Sequence, residues 1–142
     1  MKRIAAIVVL LLLALAWGRF HTSEQPPTVA SEASIVEERR DSEWRSGQQV
    51  QGDGTVIRLL SDDNDGSRHQ RFIIRLDSGR TLLVAHNIDL APRIEALRKG
   101  DRVGFFGQYE WNDKGGVIHW THRDPQGQHV PGWIEHAGRR YQ

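Results

Sequence analysis

The stretch Leu97 to Trp111, LRKGDRVGFFGQYEW, decides the fold. Lys99-Gly100 reads as a basic last turn with a glycine stop, and Val103 to Trp111 follows as a strand rich in Val, Phe and Tyr. Gly104 and Gly107 within that strand remove side chains where it must coil or lie against another backbone. Just upstream, Ile88 to Lys99 carries Pro92 near its start and Ile94 and Leu97 as an apolar stripe, which predicts a helix running into the strand. Just downstream, Asn112-Asp113-Lys114-Gly115 is a turn sequence, so Gly116 to Thr121 is expected to pair back as the next strand.

Farther upstream, short segments rich in Val, Ile and Phe are punctuated by Gly and Asp, as strands are. They predict strands over about Gly54 to Leu60, Gln70 to Leu76 and Thr81 to His86, the last two joined by the tight turn Asp77-Ser78-Gly79-Arg80. Three strands, a helix and a hairpin give a mainly β chain in the order of the oligonucleotide/oligosaccharide-binding (OB) barrel, five strands with one helix between strands 3 and 4. A small SH3-like barrel or a five-stranded sandwich fits the same strand count.

The N-terminus bounds the compartment. Lys2 and Arg3 precede an apolar run from Ile4 to Trp17, with Ala14-Leu15-Ala16 as a small-residue cleavage site, so residues 1–17 read as an export signal or an N-terminal membrane anchor helix. The chain is then expected in the periplasm, soluble after cleavage or held at the inner membrane through residues 4–17. Residues 18–49 are polar, with Gln25-Pro26-Pro27 stiffening a spacer and a helix expected over 31–47, where Ser34 can cap and Trp44 can pack on the domain. Residues 50–142 form the compact domain, and nothing in the sequence calls for an obligate oligomer.

Formal charge is +1, and loss of Lys2 and Arg3 with a signal would leave 17 basic against 18 acidic residues. A strongly basic nucleic-acid protein is excluded, so any affinity for a polyanion must rest on local arrangement. With no cysteine, disulfides and thiolate metal sites are excluded too, and imidazole and carboxylate remain as the strong metal donors.

Of seven histidines, all but His21 lie from His69 onward. Imidazole binds metals, shuttles protons and titrates near neutrality, so the cluster marks a site without naming its job. A divalent metal (Zn, Mn or Fe) is expected to draw on His86, His119, His122, Asp124 and His129. Because His119 and His122 would project oppositely on a straight strand, sharing an ion requires the strand to bend or end there, and Asp124-Pro125 supplies an end. A ligand groove would use His69, Arg71, Arg75, His86, Asn87 and Asp89, with Tyr109, Trp111 and Trp120 as stacking platforms for a glycan or a single-stranded nucleic acid. The catalytic alternative, metal-assisted phosphodiester cleavage, takes His69 or His119 as base, Arg71 and Arg75 as anion clamps and Asp89 or Asp124 as the orienting carboxylate. An envelope interaction scaffold is the third class. The acidic turn Ser61 to Gly66 opens like a calcium loop but lacks the closing glutamate, so it reads as a solvated turn.

The phrases DDNDGSRHQRFIIRLDSG (62–79), LLVAHNIDLAPRI (82–94), GDRVGFFGQYEWN (100–112) and KGGVIHWTHRDPQGQHVPGWIEHAGRRYQ (114–142) resemble a family of small exported bacterial proteins, domain of unknown function number 3465. The resemblance spans roughly Gly52 to Gln142 and implies one small domain in the cell envelope, with no activity attached. The tail from His122 onward has neither strand nor helix period, yet its Trp133, Ile134 and Tyr141 should wrap it onto the barrel with Trp133 as anchor. That wrap would carry His129 and His136 towards His119.

Overall fold

The computed structural model describes residues 44–142, and the signal or anchor, the spacer and most of the helix expected over 31–47 lie outside them. Residues 44–47, the end of that expected helix, form a turn leading into the first strand.

Seven strands follow: β1 Gln48–Leu59, β2 His69–Arg75, β3 Thr81–Asn87, β4 Arg102–Glu110, β5 Val117–His119, β6 Trp133–His136 and β7 Arg139–Tyr141. The first five close a barrel in the order β1-β2-β3-β5-β4, with β4 pairing back onto β1. β3 and β5 run parallel, and the other pairs are antiparallel. This is the expected OB order. β1 begins at Gln48, earlier than expected, because one strand must serve two partners: Gln48 to Thr55 pair with β4, and Thr55 to Leu59 with β2. A register shift between Val56 and Arg58 bends it from one to the other.

Alternation fixes the core. Phe72 and Ile74 of β2, Leu82 and Val84 of β3, Val103, Phe105 and Tyr109 of β4 and Ile118 of β5 point inward and are buried, each worth about 1.5–3 kcal/mol on leaving water. Gly107 is demanded by the β4–β5 contact, since a Cβ there would stand 2.5 Å from the His119 carbonyl oxygen. Trp44 packs on the core as expected, edge-on to Phe105 at 6.2 Å and tilted against Tyr109 at 5.8 Å.

The helix between β3 and β4 is absent: residues 88–101 form successive turns. Pro92, Ile94, Leu97 and Gly100 mark a helix and a run of turns equally well, and tertiary hydrogen bonds choose the turns. Gln70 and His86 are cross-strand neighbours whose side chains both enter the core. The Gln70 amide accepts from Ile94 N at 2.9 Å and donates to Ile94 O at 3.1 Å, and His86 Nε2 donates to Pro92 O at 3.2 Å. Backbone groups that a helix would pair internally are thereby consumed by the barrel. Ala91, Ile94 and Leu97 still bury their side chains, so the apolar stripe serves without the helix. Gln70→Leu would strand both Ile94 groups and is expected to cost about 2–4 kcal/mol in denaturant unfolding. A loss below about 1 kcal/mol would show that these bonds do not hold the segment.

The tail wraps, and it does so as a hairpin. β6 adds to β4 beyond the barrel, from Val103↔His136 to Phe106↔Trp133, and turns through Ala137 and Gly138, both at positive φ, into β7. Its buried anchors are Ile134 and Tyr141. Trp133, the anchor expected from sequence, instead lies half-buried outside, tilted against Phe106 and under the Arg140 guanidinium at 4.1 Å.

Candidate functional site

The strand parity that fills the core leaves a second set of residues outward. His69 and Arg71 of β2 lie opposite Asn87 and Ala85 of β3, Leu83 opposite Val117 of β5, and His119 of β5 opposite Gln108 of β4. Two clefts cross this face and share His69 and His119. The first, about 330 Å³, has an apolar floor of Leu83, Ala85 and Val117 rimmed by Asp63, Arg71 and Glu110. The second, about 260 Å³, lies where the β5 strand ends and takes in Asn87, Trp120, His122, Asp124 and His129.

The bend that the sequence demanded after His119 is real. β5 stops there because Trp120 adopts φ +52°, a left-handed conformation costly for a residue with a large side chain. The kink drops Thr121 into the core, where its hydroxyl meets His86 Nδ1 at 2.8 Å, and brings His122 round to the cleft that His119 already lines. The loop beyond is folded by Asp124, whose carboxylate accepts from Gln126 N and His129 N. His129 thus returns to stack on Trp120 at 4.5 Å and meets His122 edge-on at 4.9 Å.

Electrostatics favour the neutral form of His119 and His122. Burial lowers the His119 pKa, opposed by Glu110 and reinforced by His129, His69 and His122. Burial likewise lowers that of His122, with the Arg123 carbonyl opposing and His129 reinforcing. Burial raises the Asp124 carboxyl, but the His129 and Gln126 amides outweigh it and hold the group below the usual carboxylate range. His69 Nδ1 lies 2.8 Å from Ser67 O, His122 Nδ1 2.6 Å from Arg123 O, and His129 Nδ1 2.9 Å from Val130 O. A carbonyl only accepts, so in each neutral ring Nδ1 carries the proton and Nε2 the lone pair. His119 Nε2 is buried with no hydrogen-bond partner among the described residues; Glu110 Oε1 is 3.9 Å away.

Of the residues singled out from sequence, His69, Arg71, Asn87, His119, Trp120, His122, Asp124 and His129 line these clefts. The others lie elsewhere. His86 is fully buried, with both ring nitrogens engaged by Thr121 and Pro92, and so is structural. Tyr109 fills the core, and its hydroxyl accepts from Arg80. Asp89 is bound to Arg68, through Arg68 N and Nε at 2.7 Å each. Arg75 and Trp111 are exposed and line neither cleft. His136 pairs with Asp101 at 2.8 Å on the added strand, away from His119. Asp63 and Glu110 were missed, although parity could have found Glu110: once Tyr109 is core, its neighbour must face out.

The fold and the groove define a small OB-type barrel with a histidine-rich outer face. Residues 18–142 match the family described as protein of unknown function DUF3465, and the chain belongs to it. No curated protein matches the chain.

Proposed function

We propose that the barrel is an envelope binding module whose groove takes a glycan chain. The carrying observation is the pair of adjoining clefts, which together offer an extended strip with an apolar floor and a polar rim. Sugars present just those two surfaces, with C–H faces for Leu83, Ala85, Val117 and Trp120, and hydroxyls for carboxylates and Asn87. Charge argues against single-stranded nucleic acid: Asp63, Glu110 and Asp124 outnumber Arg71 along the strip, and Arg71 is itself 3.7 Å from Asp63. A phosphate backbone needs a surplus of cations. Lys2, Arg3 and the apolar run to Trp17 support export, and an exported groove would meet cell-wall glycans.

The test is titration of the full chain with soluble cell-wall glycan fragments and, separately, with single-stranded DNA, at several salt concentrations. The expected result is glycan binding nearly independent of salt. Ala85→Phe, which fills the groove floor from outside the core, is expected to weaken it about tenfold or more, about 1.4 kcal/mol, with an unchanged melting temperature. Binding of DNA alone, falling steeply with salt, would overturn the glycan reading in favour of nucleic acid.

A further inference from the structure

We propose that the second cleft is a transition-metal site of the zinc class, formed by Nε2 of His69, His119, His122 and His129. These rings come from three separate stretches of chain, the start of β2, the end of β5 with its bend, and the Asp124-folded loop, yet all four line one cleft of about 260 Å³. The proposal does not depend on which polymer the groove takes, although this cleft forms one end of that groove.

Three features carry it. First, His69, His122 and His129 each spend Nδ1 on a main-chain carbonyl, which leaves Nε2 as the lone-pair nitrogen. This is how metal-binding imidazoles are commonly oriented, with the far nitrogen anchored so that the near one can donate. Each carbonyl lies one or two residues away in the chain, so each contact is set locally, and the common result is that three rings lining a single cleft have Nδ1 occupied in the same way. Second, His119 lines the same cleft and its Nε2 is buried without a hydrogen-bond partner among the described residues, and a buried acceptor or donor left so is costly unless a ligand completes it. Third, the backbone strain at Trp120 is what turns His122 towards His119, and strained residues gather where geometry serves a ligand.

Ligand chemistry selects the ion. Four imidazoles, no thiolate anywhere in the chain and two nearby carboxylates, Asp124 committed to loop amides and Glu110 3.9 Å from His119 Nε2, suit Zn²⁺, Cu²⁺ or Ni²⁺ better than Mg²⁺ or Ca²⁺. Among the described residues no three His, Asp or Glu side chains already stand as a ready ligand set. Coordination therefore requires the rings to turn, and the loop between Asp124 and His129 is the segment that would tighten.

The experiment is calorimetric titration of the full untagged chain with Zn²⁺, paired with Co²⁺ absorption as a spectroscopic report of nitrogen coordination. The expected result is about one equivalent bound, with Co²⁺ ligand-field bands and a raised melting temperature. His119→Ala and His129→Ala are each expected to weaken binding by about tenfold or more, and His136→Ala, whose ring pairs with Asp101 elsewhere, to leave it unchanged. Because His119→Ala could disturb β5, His69→Gln at the opposite wall provides a second loss of ligand, checked by its melting curve. No stoichiometric uptake, or equal uptake in the wild-type chain and in folded variants at 69, 119 and 129, would overturn the proposal. Loss of glycan binding with Zn²⁺ uptake intact would overturn the groove reading and leave this one standing.

Discussion

Between pH 6.5 and pH 4 the barrel is expected to lose about 3 kcal/mol of stability through His86 alone. The ring is buried, and that burial pushes its pKa from the ordinary 6.5 down to about 4, with the Pro92 carbonyl opposing and His122 and His69 reinforcing. Above pH 6.5 the ring is neutral in both folded and unfolded chains, and its contribution is complete. As pH falls the unfolded chain takes up a proton first, while the folded chain refuses it until about pH 4, so the unfolding free energy drops across that window. Below about pH 4 both states are protonated and the loss stops growing. Urea unfolding at intervals of pH measures the slope directly. His86→Leu removes the titrating group, and although it also leaves the Thr121 hydroxyl and Pro92 carbonyl unpaired, that cost is independent of pH. Acid loss from carboxylates such as Asp77 and Asp101, whose pKa values are lowered, is common to both proteins and cancels in the difference. Identical pH slopes for the two proteins would show that His86 is not the buried neutral base described here.

His86 also shows why parts of this fold were legible and parts were not. In β2 the outward Arg71 and Arg75 leave Phe72 and Ile74 as the inner face, whereas β4 and β5 also carry apolar residues outward, Phe106 and Val117, so parity points to the core of β2 more firmly than to theirs. β3 reads LLVAHN, apolar on both faces, and gives no direction for His86. Its direction comes from a partner on another strand: Gln70 lies opposite it, and the two side chains together hold the 92–94 backbone. The same bonds replace the expected helix. That information is tertiary, carried by one amide and one imidazole in a core, and no local propensity records it.

The site was legible to a similar depth. That His119 and His122 needed a bend could be reasoned from strand geometry, but that the bend would fall on Trp120, a residue ill suited to positive φ, could not. Choosing aromatic residues as ligand platforms misled where parity was ignored: Tyr109 is core, and the outward places beside it belong to Gln108 and Glu110. The tail gave no periodic signal because β6 and β7 are four and three residues long, too short for alternation to stand out.

Gly132→Ala is expected to be the most damaging single-methyl change near the site, costing about 3 kcal/mol or more. A Cβ at Gly132 would stand 2.2 Å from the Trp120 carbonyl oxygen, 2.3 Å from the Phe106 carbonyl oxygen and 3.0 Å from Thr121 Cα. All three are main-chain atoms, so no rotamer change relieves the clash; either β6 leaves β4 or the bend at Trp120 opens. The amide of Gly132 donates to the His122 carbonyl at 2.9 Å, so the tail is fastened to the very segment that carries two of the cleft histidines. Melting is expected to fall by about 12–24 °C for a domain of this size. Gly127→Ala is the matched control: φ is +68° but nothing lies within 4 Å of its Cβ, so only the conformational cost of about 1 kcal/mol applies. A Gly132→Ala melting temperature equal to that of Gly127→Ala would show that the tail does not press on the bend. If the drop appears, metal and glycan titrations below the lowered melting point separate two consequences of one displacement. Loss of metal uptake reports that His122 has swung from the cleft, and glycan binding that is weakened but not abolished reports that the Trp120 face is lost while the sheet floor of Leu83, Ala85 and Val117 still serves.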